Sequence, residues 1–221
     1  MLRLESLLID DLMIYQDDDL YTFTSDSVLL SKFTTVKKGD VVCDYCAGSG
    51  IVGFHLYALN KDKIKSVTLI EMQTPLADLS KKTAEYNRLT DKIKTLNIKV
   101  QNLPKEYYGK FSLIVCNPPF TELNRGEVNK NPIKVICKSE IELTLEELVC
   151  AIDKGLKFGG RVNIVHRADR LCEVITALKN RNIEPKKLQF VCAKNKSPYL
   201  FMVEGVKGGG KGVKVLNEIQ N

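Results

Sequence analysis

Short apolar blocks alternate with stretches of three-to-four spacing along most of this chain. The β-branched run Val41-Val42-Cys43 leads through Asp44-Tyr45 into a glycine turn, after which 51–60 reads as a helix. A second strand is expected at 66–70, then a helix over 75–88 with Thr74 as its cap and Pro75 in its first turn. Strands follow at 93–100 and 112–116. Thr144, with Glu147 three residues on, makes a capping box that opens a helix running to 156. Gly159-Gly160 leads into a strand at 161–165, a helix over 168–180, and closing strands at 187–191 and 199–203. Alternation of this kind packs as an α/β fold, a mostly parallel sheet with helices on both faces. Ahead of it lies an N-terminal segment, 1–38, with one helix at 26–33 that Asp26 is placed to cap. The connection 121–143 is long enough to mark it as functional or mobile.

Composition narrows the picture. At 221 residues the chain is expected to form one domain, 1–221, with an ample core. No apolar stretch approaches the roughly 18 residues of a membrane span. Acids at Asp10 and Asp11 interrupt the only early apolar run, so no signal peptide is expected and the location reads as cytoplasmic. Net charge is +6, unevenly placed: residues 1–26 hold Arg3 against seven carboxylates, net −6, which leaves +12 for the remainder. That excess suits a polyanionic partner, although lysine-rich surfaces also occur for solubility alone. Seven cysteines, mostly in apolar patterns, read as buried small hydrophobes. Cys43-x-x-Cys46 has no second Cys or His pair at zinc spacing, so neither metal nor redox chemistry is expected.

The candidate chemistry sits at two strand ends. Asn117-Pro118-Pro119-Phe120 follows the apolar run Phe111-Ser112-Leu113-Ile114-Val115-Cys116. The Asn117 side-chain carbonyl and the Pro118 main-chain carbonyl can accept both N–H groups of a planar amine, and proline brings no competing donor. Phe120 can stack on the ring carrying that amine. Acceptors aimed at both hydrogens favour a pyramidal, nucleophilic nitrogen, which is electrostatic preorganisation. The same residues also end strands for turn chemistry alone. Upstream, Asp44-Tyr45-Cys46-Ala47-Gly48-Ser49-Gly50 departs from the phosphate-binding G-x-G-x-x-G pattern; Cys46 replaces its first glycine, where only a small side chain fits. Glu71 ends the second strand 21 residues after Gly50, placed to accept from both hydroxyls of a ribose. His55 lies in a helix and reads as structural, and His166 ends a strand beside Arg167. No general base is required, because an amine that has attacked an electrophile is cationic and releases its proton to water.

These motifs resemble those of class I S-adenosylmethionine-dependent methyltransferases acting on adenine N6. The likeness is strongest to the bacterial tRNA1(Val) adenine-N6 methyltransferase family, which modifies position 37 beside the anticodon. It rests on Phe23-Thr24-Ser25-Asp26-Ser27-Val28-Leu29-Leu30, the Asp44–Gly50 loop, Glu71, Asn117 to Phe120, Val165-His166-Arg167 and Glu204-Gly205-Val206-Lys207-Gly208-Gly209-Gly210. The resemblance implies a Rossmann-like seven-stranded sheet and S-adenosyl-L-methionine as cofactor. It implies Asn117, Pro118, Pro119 and Phe120 as the catalytic set, with Asp26, Asp44, Cys46, Ala47, Gly48, Gly50, Glu71, Met72 and Asn102 holding the cofactor. The segment 1–38 is then expected to cover the methionine end, and the basic tail 205–221 to meet RNA. Arg125, Lys138, Arg167, Lys207, Lys211 and Lys214 are the expected contacts to the tRNA anticodon region, made by a monomer. Two positions depart from the family pattern: Asn102 stands where relatives place an Asp, and Lys138-Ser139-Glu140 where many carry Arg-His-Glu.

Asn-Pro-Pro-aromatic serves other planar amines too. Methylation of a release-factor glutamine, or of another nucleic-acid amine, stays open, as does a non-catalytic RNA-binding module keeping the fold. The first rival calls for an extra recognition domain, and DNA methylation for a target-reading region; neither is evident in the chain.

Overall fold

Six consecutive buried residues make β6 (Phe111–Cys116) a central strand, covered on both faces and apolar except at Ser112. In the computed structural model, which describes residues 1–7, 9, 11–20, 25–119 and 142–221, it lies beside β3 (Asp40–Tyr45). From β3 the chain runs outward through α2 (Ile51–Leu59) to β4 (Ile64–Ile70), then through α3 (Thr74–Tyr86) to β5 (Ile93–Leu96). It then returns to place β6 on the other side of β3. Beyond β6 come β7 (Leu156–Arg167), β9 (Pro198–Lys207) and β8 (Ile183–Cys192), with β9 antiparallel to both neighbours. The order β5-β4-β3-β6-β7-β9-β8 therefore reverses direction between β3 and β6. In open α/β sheets that switch point, at the carboxyl ends of the strands, opens the ligand crevice.

Each face of the sheet has its own core. Val42, Val67, Leu69, Leu113 and Val115 pack under α1 (Ser25–Phe33) and α2, joined by Leu12 and Ile14 from the N-terminal segment. Cys43, Tyr45, Ile114 and Ile164 pack under α4 (Leu145–Gly155) and α5 (Leu171–Asn180). Gly155 lets α4 close on the sheet, since a Cβ there would lie 2.4 Å from the Tyr45 hydroxyl. That hydroxyl donates to the Ala151 carbonyl at 3.1 Å.

The seven expected strands are present, with differences at their ends. The Thr144–Glu147 capping box forms as read, with Thr144 N–H to Glu147 Oε2 at 2.9 Å and Glu147 N–H to Thr144 Oγ1 at 3.3 Å. Thr74 is not the cap of α3: Gln73 takes that place, and Thr74 sits inside the helix with its hydroxyl on Asn97 Oδ1 at 2.8 Å. The third strand stops at Leu96 rather than 100, and a 3-10 turn covers Val100–Asn102. The helix expected over 168–180 begins as a 3-10 turn, Ala168–Arg170.

Two whole elements were not anticipated. The N-terminal segment contains an antiparallel hairpin, β1 (Leu2–Ser6) with β2 (Met13–Asp17), fixed to α3 by Tyr15 N–H on Thr83 Oγ1 and Met13 N–H on Asn87 Oδ1, both 3.0 Å. The tail forms β10 (Lys214–Val215) and β11 (Ile219–Gln220), both parallel along the outer edge of β8. These two short strands cover what would otherwise be an open edge.

Candidate active site at the switch point

The carboxyl ends of β3, β4 and β6 bring the loop 46–50, Glu71 and Asn117-Pro118 to one crevice. Turning from β3 into α2 within five residues forces left-handed backbone: Cys46 has φ 58°, Gly48 57° and Gly50 91°. Cys46 adopts a conformation that glycine takes at little cost. At Gly50 any other residue is strained, because the backbone is left-handed and a Cβ would also lie 2.7 Å from the Phe54 ring. Gly53, one turn into α2, lets the helix approach β4, where a Cβ would fall 2.4 Å from Leu69. Gly48 differs, since a Cβ there would meet nothing within 4 Å; the backbone at this point faces open space.

The two acids of the crevice are buried. Glu71, 5% exposed, accepts the Gly48 N–H through Oε2 and the Gln73 N–H through Oε1, both at 2.8 Å, and so pins the glycine loop to the end of β4. Burial raises its carboxyl pKa against the opposing pull of the Gln73, Gly48 and Met72 amides. A carboxylate has about four lone-pair sites, so with three amides on it one remains for a ligand's hydroxyl. Asp44, 1% exposed, accepts the Gly53 N–H through Oδ2 at 2.9 Å, while its Oδ1 has no partner among the described residues. Burial lifts its pKa from 3.8 to about 8; the Gly53 amide opposes this and the nearby Glu71 adds to it. A buried carboxyl with one idle oxygen beside a second carboxyl is a site prepared for a cation.

On the β6 side, Asn117 is half-buried and Pro118 buried, directly after the last residue paired with β3. Asn117 Nδ2 donates to Ser27 Oγ on α1 at 3.0 Å. Asp26, beside Ser27, is half-buried in the first turn of α1. The Cys116 thiol, raised by burial, is in hydrogen-bonding contact with Cys46 across the two strand ends.

Further anchors were not read from the sequence. Gln16 of β2, 1% exposed, donates to Ser49 Oγ at 2.6 Å, so the hairpin holds the glycine loop from behind. Asn97 donates to the carbonyls of Glu71 and Met72 at 2.8 and 3.0 Å. The signal for Gln16 was available: a polar residue at an inward position, two residues from Ile14, is what a strand serving a site looks like.

Other expected residues are more dispersed. Asn102 is exposed at the end of its 3-10 turn, and Phe120, Arg125 and Lys138 lie outside the described residues. His55 is structural as expected, its Nδ1 2.6 Å from Ser31 Oγ between α1 and α2. His166 is buried, accepts the Arg167 N–H on Nδ1, and has its pKa lowered to about 4, chiefly by burial with Arg170 and Arg167 adding to it. It is neutral at physiological pH. Arg167 reaches the carboxyl edge, where it pairs with Asp169. Lys207 is at the opposite, amino edge, with Nζ 2.7 Å from Asp153 Oδ1. Lys211 and Lys214 are exposed, the first past that amino edge and the second on the flank of β8. Two lysines that were passed over, Lys194 and Lys196, are exposed in the β8–β9 turn on the same edge as Asn117 and make no ion pair among the described residues.

The chain has relatives among known proteins. The sequence is 24% identical over 196 residues to a tRNA1(Val) (adenine(37)-N6)-methyltransferase of Shewanella sp. (strain W3-18-1), covering 74% of this chain and 80% of that one. It is 28% identical over 158 residues to a release factor glutamine methyltransferase of Clostridium acetobutylicum, covering 66% of this chain and 54% of the other. Among solved structures, a predicted O-methyltransferase from Agrobacterium tumefaciens superposes with a TM-score of 0.69 at 16% identity over 88% of this chain and 86% of that one. The tRNA m1G37 methyltransferase of M. jannaschii does so with 0.65 at 15% identity, over 95% and 57%. These likenesses establish a Rossmann-like α/β methyltransferase fold. The model of the methyltransferase small domain matches residues 23–191, which takes in the glycine loop, both acids and the Asn-Pro-Pro strand end, and the chain is a member of that methyltransferase family.

Proposed function

We propose that this protein is a tRNA adenine-N6 methyltransferase that uses S-adenosyl-L-methionine, with an adenine of the anticodon loop, position 37 of tRNA1(Val), as its target. The observation carrying this reading is the meeting, at one sheet edge, of an Asp44 oxygen left unpartnered and an amine-gripping Asn117-Pro118 pair. The residues fit a cationic nucleoside cofactor. Asp44 is suited to the amino group, Glu71 and Met72 to the nucleoside, and the open backbone of Gly48 to close approach, with Ala47 and Gly50 shaping the loop. When bound, the cofactor supplies an electrophilic methyl group.

The chain's own residues hold the acceptor. Asn117 Oδ1 and the Pro118 carbonyl take the two N–H groups of the amine, and buried Pro118 keeps that carbonyl free of a competing donor. Taking the base out of its stack costs a few kcal/mol, least in a loop, and stacking on an aromatic such as Phe120 returns about 1–3 kcal/mol. The low pKa of His166 fits a reaction without a general base. Arg167, Lys194 and Lys196 line the edge the RNA must cross to deliver its base, and Lys211 and Lys214 continue that basic surface away from the crevice.

The similarity to a release-factor enzyme favours one rival, since a glutamine amide presents the same –NH2. Labelled methyl donor offered to bulk tRNA, ribosomal RNA, DNA and release factor decides between them. N6-methyladenosine in tRNA is expected; methylglutamine overturns the substrate, and no transfer at all overturns the reading. Asn117→Ala should lower kcat by about 10²–10³-fold while cofactor affinity survives.

A further inference from the structure

An asparagine can grip an amine only one way round. Its Oδ1 must face the substrate's N–H groups, and its own NH2 must be held elsewhere, because a flipped amide sets donor against donor. Asn117 stands in the useful sense: Nδ2 donates to Ser27 Oγ at 3.0 Å, and no described residue donates to Oδ1. Ser27 is 3% exposed on α1, ninety residues earlier in the chain, so the bond crosses from the N-terminal segment to the end of β6. The next residue back is Asp26, in the first turn of the same helix.

We propose that Ser27 is a positioning residue for the methyl-transfer step: its hydroxyl holds the Asn117 amide with Oδ1 toward the incoming amine. It also ties that orientation to the seating of α1, whose first turn lies at the cofactor side. The helix is in turn fixed to α2 by the Ser31–His55 bond, and α2 starts at the glycine loop. Two hydrogen bonds, Ser31–His55 and Ser27–Asn117, thus join the helix that starts at the glycine loop, α1 and the amine acceptor. The inference rests on the amine-methylation reading for its kinetic arm, though not for its spectroscopic one.

Ser27→Ala leaves the helix intact, as alanine is the best helix former, but removes the acceptor. The expected result is a fall in kcat of about tenfold or more, with KM for S-adenosylmethionine and for RNA changed less than about threefold; the loss of one hydrogen bond near 1.4 kcal/mol corresponds to that factor of ten. Ser27→Thr keeps an acceptor oxygen and should restore most of kcat, a pattern that general destabilisation does not give. Independently of any substrate, the Asn117 side-chain NH2 resonances, identified by their loss in Asn117→Ala, should lose exchange protection in Ser27→Ala and keep it in Ser27→Thr. Unmoved resonances together with unchanged kcat overturn the inference and leave the methyltransferase reading standing. If wild-type protein methylates no amine, that reading fails, and the resonances alone still decide the Ser27–Asn117 bond.

Discussion

Asp40 and Asp44 lie on the same strand and the same face, four residues apart, one at each end of β3. At the amino end, both oxygens of Asp40 are used: Oδ2 takes the Lys37 N–H at 2.7 Å and an Arg161 Nη2 at 2.5 Å, and Oδ1 takes the Ser112 hydroxyl at 2.7 Å. Arg161 also donates to the Thr35 carbonyl. Burial pushes the Asp40 pKa up, but the Lys37 amide, Ser112 and Arg161 together bring it below the usual value. At the carboxyl end, Asp44 has one amide, one idle oxygen and a carboxyl neighbour, and its pKa climbs to about 8. The same side chain is a staple where its hydrogen-bonding capacity is filled and a receptor where it is left open. Hydrogen-bonding capacity is filled at one end of β3 and left open at the other, as expected when a rigid scaffold carries an unsatisfied site.

The sharpest way to break this contrast is to open the closed end. Arg161→Ala leaves Asp40 buried without its cation, and breaking a buried pair in this way costs about 3–5 kcal/mol. Urea denaturation should show a loss of that size, enough to leave the chain marginal. A loss below about 1 kcal/mol would mean that the amino edge does not staple the sheet.

Asn163 tests the rule one strand pair away. It is fully buried on β7, in register with Val115 of β6 and Glu204 of β9, and neither its Oδ1 nor its Nδ2 has a partner among the described residues. An unsatisfied buried amide costs about 1–3 kcal/mol. Asn163→Leu, close to it in shape, should raise stability by that amount. An equal loss would place an ordered water on the amide and remove Asn163 from the open half of the comparison.

Asp44→Asn sharpens the contrast through its sign. A carboxyl whose folded pKa is raised from 3.8 to about 8 is held protonated in the native state, while the unfolded chain releases that proton near 3.8. Stability relative to the Asn variant is therefore whole below about pH 4, falls progressively as pH rises, and levels above about pH 8. The Tm advantage of Asp44→Asn should be absent at pH 4 and largest at pH 8 and above. A pH-independent difference contradicts the raised pKa. Cofactor binding should run the other way: the cation favours ionised Asp44, so wild-type affinity rises toward pH 8 with proton release, and the variant loses both affinity and pH dependence.

Where the fold was legible, local pattern and burial agreed. β6 is buried at every position and apolar at all but Ser112 because both its faces are covered, and Thr144 and Glu147 satisfy each other within one turn. The hairpin β1–β2 escaped because its inward residue Gln16 is polar, spent on Ser49 rather than on the core. The tail strands β10 and β11 escaped because their pairing to β8 is long-range and only two residues long at each contact. The site showed the same division. Asp44, Glu71 and Asn117 carry their chemistry in their own identity and spacing. Ser27 carries none until folding places it 3.0 Å from a side chain ninety positions away.

The smallest effect separates the basic residues of the two edges. Lys207, in the glycine tail, is engaged by Asp153, and Lys187 by Glu204, so neither offers a free charge to a phosphate. Lys194 and Lys196 stand on the carboxyl edge, while Lys211 and Lys214 reach from the amino edge along the flank. Each phosphate contact to a single strand contributes about 0.7 to the slope of log affinity against log salt. If RNA enters over the crevice, replacing Lys194 and Lys196 by Ala should reduce that slope by about 1.4, and replacing Lys211 and Lys214 by less than half as much. Equal reductions would mean the strand continues down the flank of β8 after leaving the site. A slope untouched by the first pair would take the β8–β9 turn out of the path altogether and leave the tail as the electrostatic guide.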